Sequence, residues 1–563
     1  MIDWQPTSPW TGIDLPMRDG IVIVAEALSF ARLRLLPGAD FTGLPGPRQA
    51  QNGWLNMGPC EWLFCGNHCP RPDAIDMSDA LVALSISGEN VFDLLSAGIA
   101  IDWQRFSVGT CARMRLGETA VVLHRREEQQ FRLIFGAPFA RYLAEWLAQT
   151  FGIPGLCVAL YANGRQEQIL FGEDAQGSEL PVTSKTWFQA ASTGKHVTAA
   201  VILDLERAGL LSLDHPLGRY LPDAPQPWHS RTISALLNHT SGLPEYLAYA
   251  DDEVVPASRA DFMAHYARLA PIAEAGATWG YSNTNYILLG FIIAAVTGDS
   301  YSAAVHRLFQ KTGVIGSAVA SPDWVRQANA DPALAIKGDL DSADREVIGD
   351  GDIAFTVDGA QAWLRHLIEG ADTRLFDTPL LASGRLSPYG CGWFVETMGE
   401  DHIAHHAGHY DGWTAMAFLN RSQKTGAIAL CNLAPRTTRA IRAVALTALE
   451  AFAPGSTPLG LHPVADSNAQ LTATIRGQLI RRGAAADRTF FAPELQTAID
   501  KGGPVRGVID LWSGEEPSAF ELVEEQPSGS MRMLRYRLVY ADRVEHVLVG
   551  LTDENKIYWC WPL

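Results

Sequence analysis

The sequence predicts a multidomain chain of mixed α/β and α+β type, and three observations carry that prediction. The chain has 563 residues, too many for one hydrophobic core, since domains run to roughly 100–200 residues. Its texture changes near residue 150 and again near residue 453. Within each part, apolar residues recur at both helical and strand spacing.

The first part, residues 1–150, reads as an α+β domain. Strand-like runs such as Ile21–Ala25 and Thr119–His124 alternate with helical ones, a helix begins over Asn90–Ala97, and Phe139–Leu147 closes the segment with Tyr142, Leu143 and Trp146 on helical spacing. The central part, residues 151–453, holds two long apolar helices, Val197–Leu205 and Tyr286–Val296, followed by a group of strands. Pro454-Gly455-Ser456-Thr457-Pro458 reads as a linker. The last part, residues 465–563, gives helical signals and then strands. Tyr536, Leu538 and Tyr540 alternate with Arg535 and Arg537, the period of a half-buried strand. Asp553-Glu554-Asn555 is a turn between Val547–Leu551 and Ile557–Trp561. The aromatic residues Trp512, Tyr536, Tyr540, Trp559 and Trp561 read as core.

Composition narrows the function. The net charge of −18 repels phosphate backbones, and no Lys/Arg cluster offsets it, so nucleic acid is not expected as a partner. The longest apolar run, Tyr286 to Val296, is too short to cross a bilayer, so no membrane partner is expected. Met1-Ile2-Asp3-Trp4-Gln5-Pro6 has no basic start and no apolar stretch after it. The 8 cysteines are sparse and most, such as Cys157, Cys391 and Cys431, sit in apolar stretches, so they read as reduced thiols in the cytoplasm. Cys60, Cys65, His68 and Cys69 do not follow a common zinc spacing, and neither metal nor cofactor is expected.

Three short motifs carry chemistry. The first is Ser192-Thr193-Gly194-Lys195, opening an apolar helical run. A serine there is an ordinary helix cap by default. Residues i and i+3 share a helix face, however, so the Lys195 amine can reach the Ser192 hydroxyl. A serine needs a neighbouring base to become a nucleophile, and a desolvated lysine can serve. The second is Tyr281-Ser282-Asn283, in a loop before an apolar helix. A phenol is a useful base beside a cation such as Lys195, and Asn283 can bind a substrate carbonyl and orient the lysine. The third is His406-Ala407-Gly408, at the end of a hairpin strand after the Met398–Asp401 turn. The glycine admits substrate close to the strand, and the N–H of His409 pairs with that of Ser192 as an oxyanion donor. Lys424-Thr425-Gly426 spells another lysine triad, but it falls in a polar turn and is set aside.

With these motifs in one order in one domain, the stretch resembles the serine beta-lactamase-related hydrolases: class C beta-lactamases, D-aminopeptidases, D-alanyl-D-alanine carboxypeptidases and esterases. Gly152-Ile153-Pro154-Gly155, Ala208–Asp214, Leu236-Leu-Asn-His-Thr-Ser-Gly-Leu243 and Tyr281-Ser-Asn-Thr-Asn-Tyr286 extend the resemblance over about 300 residues. It implies a beta-lactamase/penicillin-binding transpeptidase-like fold, a helical subdomain against an antiparallel sheet, with the site between them. Catalysis is assigned to Ser192, Lys195 and Tyr281, and substrate binding to Asn283, His406, Gly408 and His409. Three departures stand out, one of them the bulky His409 directly after the glycine. A histidine occupies the place of the lysine found in true beta-lactamases, and Asp352 stands where a glycine is common. Neutral imidazole holds a carboxylate less firmly than an ammonium. That shifts the expected substrate from beta-lactams toward esters, amides and amino-terminal peptides.

The N-terminal part resembles the gamma subunit of heterotetrameric sarcosine oxidase, itself related to the folate-binding domain of aminomethyltransferases. The matching residues are Gly58–Leu63, Leu84–Glu89, Phe106–Cys111 and Phe139–Leu147. The C-terminal part, 465–563, resembles small α+β accessory domains of such hydrolases. The expectation is a cytoplasmic serine hydrolase acting on a small ester, amide or short peptide through an acyl-enzyme on Ser192, with a homodimer left open. The rival readings are a non-catalytic or partner-binding subunit of a sarcosine- or folate-linked assembly, and a beta-lactamase or D-Ala-D-Ala carboxypeptidase.

Overall fold

The computed structural model describes residues 152–246, 258–266, 269–330, 346–410, 412–433, 438–461 and 463–480, and interrupted stretches of 22–136 and 487–562. The expected helix Phe139–Leu147, Cys60, His68, Trp512 and Tyr540 lie outside the described residues, as does the side chain of Trp561.

A six-stranded antiparallel sheet forms the centre. Its order is Arg165–Gly172, Gly155–Ala162, Thr425–Cys431, Trp413–Asn420, Asp401–Tyr410, Phe394–Met398. Strand side chains alternate between faces with period two. Cys157, Ala159 and Tyr161, with Ala415, Ala417, Ile428 and Leu430, face the main core. Leu156, Val158 and Leu160, with Met416, Phe418, Ala427 and Ala429, face the opposite one. A sheet buried on both faces must be apolar at almost every position, as these strands are.

Helices cover the two faces. Val357–Glu369 packs on the first, its N-terminus capped by the Thr356 hydroxyl, which accepts from Gly359 N. Thr438–Phe452 packs on the second. The helical subdomain contributes Lys195–Arg207 and Asn283–Thr297, which pack on each other. The second of these is apolar all round, buried from Thr284 to Ile293, and ends on Gly298 in a left-handed turn. Among the described residues no single helix is long and apolar enough to cross a membrane.

The described residues of the N-terminal stretch form two five-stranded antiparallel sheets. Its apolar residues Ile86, Val91, Leu95, Phe131 and Leu133 belong to the same buried cluster as Leu156, Phe418, Ile441 and Leu449. The C-terminal stretch is a four-stranded antiparallel meander, Ala519–Ser528, Met531–Val539, Val544–Leu551 and Ile557–Pro562, backed by helix Ala469–Ile480. Tyr536 and Leu538 point into its core with Ile475 and Leu479, as their alternation requires. Arg535, on the other face, is wholly buried against the central part, where it ion-pairs with Glu396 at 3.5 Å.

Candidate active site

The serine lies not on the long helix, as its motif suggests, but on the single 3-10 turn Ala191–Gly194 that leads into it. Lys195 is the first residue of the helix Lys195–Arg207. The turn is fixed by Ala190 N donating to Ile353 O at 2.8 Å and by the Thr193 hydroxyl donating to Ala190 O at 2.6 Å. Ala191 takes a φ of 47°. A left-handed alanine is strained, and such strain persists only where packing imposes it. Here it presents Ser192, half-buried, while Ala191 and Lys195 are buried on either side.

Lys195 Nζ makes contacts of 3.2 Å to Ser192 Oγ, 2.7 Å to Asn283 Oδ1 and 2.5 Å to the carbonyl of Asp350. Three acceptors suit the three N–H groups of an ammonium. The same places suit a neutral amine that donates to Asn283 and Asp350 and accepts from the serine. Asn283 is held in turn by Glu245, which accepts from both its backbone N and, at 3.3 Å, its Nδ2. The amide oxygen is thereby turned toward the lysine.

Tyr281 stands beside this pair, with the Lys195 ammonium 5.1 Å from its ring centre. Burial pushes the Tyr281 phenol up, while the charge of Lys195 and hydrogen bonding from Lys195 and Ser192 pull it down. His239, from the Leu236–Leu243 motif, packs on the ring at 4.5 Å, and its Nδ1 accepts from Ser282 N at 3.2 Å. Sequence gave His239 no role, and gave none to Glu245 or to the Asp350 carbonyl.

The strand Asp401–Tyr410 forms the far wall. Phe394–Met398 pairs with it only as far as His405, whereas Trp413–Asn420 pairs along it to Tyr410. His406 is therefore mid-strand rather than terminal, and beyond its neighbour His405 one edge carries no partner strand among the described residues. A Cβ on Gly408 would lie 2.6 Å from Ala190 O and 2.9 Å from Ser192 N. The glycine is required by the serine turn itself, not only by a ligand. His409 follows it, exposed, in register with Thr414.

His406 is buried with both ring nitrogens engaged. Nδ1 donates to Ala407 O at 2.6 Å, and Nε2 accepts from the Tyr389 hydroxyl at 2.9 Å. Burial, and then the charge of Lys195, push its pKa down to about 3, so the ring is neutral. It offers no positive charge to a substrate. Lys424 is exposed at the tip of the next hairpin with a φ of 54°. Thr425 and Gly426 are not in the turn but begin the strand Thr425–Cys431. That tip meets the neighbouring strand at Ile403, while the serine turn meets it at Gly408. Cys65 is buried and Cys69 half-buried, and among the described residues no group of His, Cys, Asp and Glu could hold a metal ion.

The family model of the beta-lactamases matches residues 140–452. The chain belongs to the beta-lactamase family. The serine turn, the Tyr-x-Asn loop and the histidine strand all fall within the matched residues of this beta-lactamase-family domain. Among curated relatives, penicillin-binding protein 4* of Bacillus subtilis (strain 168) is 27% identical over 277 residues, 44% of this chain and 60% of the relative. Protein flp of Staphylococcus aureus (strain MW2) is 23% identical over 310 residues, 50% of this chain and 60% of the relative. The chain thus spans 60% of the length of these curated relatives. A solved D-amino acid amidase from Ochrobactrum anthropi SV3, complexed with L-phenylalanine amide, is 23% identical with a TM-score of 0.45, covering 56% of this chain and 97% of that one. A class C beta-lactamase is 19% identical with a TM-score of 0.46, covering 56% and 95%.

Proposed function

We propose that this protein is a serine hydrolase that cleaves a small ester or amide, including amino-terminal peptide bonds, through an acyl-enzyme on Ser192. The observation that carries the reading is the buried Lys195 amine, held by Asn283 and Asp350 at 3.2 Å from Ser192 Oγ. Ser192 Oγ passes its proton to the Lys195–Tyr281 pair as it bonds to the substrate carbonyl carbon. The backbone N–H groups of Ser192 and His409 receive the oxyanion, and Gly408 permits the two segments to approach. The bond to the leaving oxygen or nitrogen breaks, and the pair returns the proton to it. Water then adds to the acyl carbon, gives its proton to the pair, and the serine leaves with that proton.

A neutral His406 supports uncharged acyl groups over substrates anchored by a carboxylate. The match to the beta-lactamase family model over residues 140–452 supports a serine hydrolase but does not name the substrate. We read the N-terminal part as a sarcosine oxidase gamma-like scaffold without catalytic groups, and residues 465–563 as an accessory domain. The test is a fluorophosphonate probe with a panel of p-nitrophenyl esters, D- and L-amino acid p-nitroanilides and nitrocefin. One label is expected, with turnover of esters or anilides exceeding that of nitrocefin, and Ser192→Ala should remove label and turnover while the chain stays folded. A label on another serine overturns the assignment.

A further inference from the structure

A cavity of about 450 Å³ lies where the C-terminal meander meets the central sheet, away from the site above. None of Ser192, Lys195 or Tyr281 borders it. Its size falls within the range of small-molecule sites, roughly 300–1,000 Å³. One wall comes from the meander: Met531, Met533, Leu548 and Trp559. The opposite wall comes from the central part and includes Phe376, Val395 and Arg421.

Arg421 makes this more than a packing gap. Its guanidinium lies 4.1 Å from the centre of the Phe376 ring. Stacking uses the face of the guanidinium and leaves the in-plane N–H groups for an acceptor. Among the described residues no hydrogen bond or ion pair engages that head group. Burial pushes its pKa down, with Asp377 opposing the shift, and a half-buried cation borders the cavity. Two carboxylates also line it. Glu396 is committed to Arg535 at 3.5 Å, and Asp377 is exposed and out of ion-pairing range of Arg421.

We infer that this seam cavity binds a small monocarboxylate with an apolar body, its carboxylate in the plane of the Arg421 guanidinium and its body against Met531, Met533, Leu548 and Trp559. Arg421, the one arginine or lysine of the lining, which also holds His402, matches one negative charge. Glu396 and Asp377 oppose any anion, and a doubly charged phosphate about twice as strongly as a monocarboxylate. The planar fork fits the two oxygens of a carboxylate. The methionine-rich wall adapts to apolar bodies of differing shape. The inference does not depend on the hydrolase reading.

The test uses the full chain with decanoate, and with 1-decanol as the uncharged match, followed by calorimetry. Decanoate should bind at least about tenfold more tightly than decanol, a difference worth about 1.4 kcal/mol. Arg421→Gln should erase that preference, and Arg421→Lys should restore part of it. A diazirine-bearing decanoate on the unaltered chain locates the site without any substitution. Its adducts should fall on Met531–Val539 and Val544–Leu551. Absence of decanoate binding, equal binding of decanol, a preference that survives Arg421→Gln, or adducts confined to the neighbourhood of Ser192 would each overturn the proposal.

Discussion

Lys195 makes its three short contacts to Ser192, Asn283 and a backbone carbonyl, so its position also depends on the groups that hold Asn283. Glu245 is one of these. Glu245→Ala leaves Asn283 free to turn its amide, and turnover should fall about tenfold or more, equivalent to ~1.4 kcal/mol in the barrier. Steady-state kinetics on the best ester, beside an unchanged melting profile, would measure it. Unchanged turnover would show that Asn283 needs no support. A comparison of His406→Ala with Lys424→Ala tests the choice between two triads. Loss of the Tyr389 contact and of buried volume should cost His406→Ala at least about tenfold in turnover. Lys424→Ala, an exposed turn residue, should stay within about twofold, near the ±0.5 kcal/mol of neutral surface changes. The reverse ranking would return the site to a lysine-triad enzyme. Ser192, Lys195, Tyr281 and Asn283 were legible because their spacing is local and their chemistry is specific to type. Glu245 was not, since it meets Asn283 from 38 positions away with no pattern to mark it. The Asp350 carbonyl leaves no trace in a sequence, because every residue but the chain end carries one like it.

At the scale of elements, strand Asp401–Tyr410 and the serine turn are built against each other. Gly408→Ala places a methyl group 2.6 Å from Ala190 O and 2.9 Å from Ser192 N, contacts with backbone that cannot be relieved by a rotamer change. The turn must move, and fluorophosphonate labelling should slow by about a hundredfold, ~2.7 kcal/mol in the barrier. Circular dichroism should still show a folded chain. Labelling at the original rate would mean that the strand, not the turn, had yielded. Hairpin strands were readable from alternation, and the meander from Tyr536 and Leu538. Strand ends were less so. His406 looks terminal in sequence, yet the strand continues to Tyr410 because Trp413–Asn420 pairs with it throughout. The length of a strand is set by its partner as much as by its own residues.

Across the whole molecule, one apolar cluster joins one of the N-terminal sheets to the back of the central sheet through Ile86, Phe131, Leu133, Val158, Phe418 and Leu449. A chain beginning at Gln149 would bare that face, and exposed patches of this kind drive association. It should aggregate or melt lower than the full chain by differential scanning fluorimetry. A monomeric chain of unchanged stability would show that the shared cluster contributes little. No periodicity within either segment reports such contact, which is why the sequence separates them by texture alone. Acid should also weaken the fold. Burial holds His124 down at about 4 and His406 and His546 at about 3, against an ordinary value of 6.5. The unfolded chain gains protons at these positions as pH falls below 6.5, while the folded chain does not until far lower. Their stabilising contribution is full above pH 6.5 and is lost progressively below it, so the melting temperature should drop between pH 6.5 and pH 4.5. A flat or rising profile over that range would contradict the buried neutral histidines.

The central sheet pairs Gly155–Ala162 with Thr425–Cys431, and the serine turn rests on a strand that begins at Asp401. A ribosome makes Ser192 long before it makes the wall that shapes its turn. During synthesis the Ser192 turn waits, with the helical subdomain, for some two hundred further residues, so a nascent or prematurely ended chain carries the serine without the strand that Gly408 lies on. Pairing across such sequence distances is slow and exposes apolar strands meanwhile. The proposed site is therefore incomplete until the sheet closes, and the chain's dependence on folding assistance should be greatest in that interval.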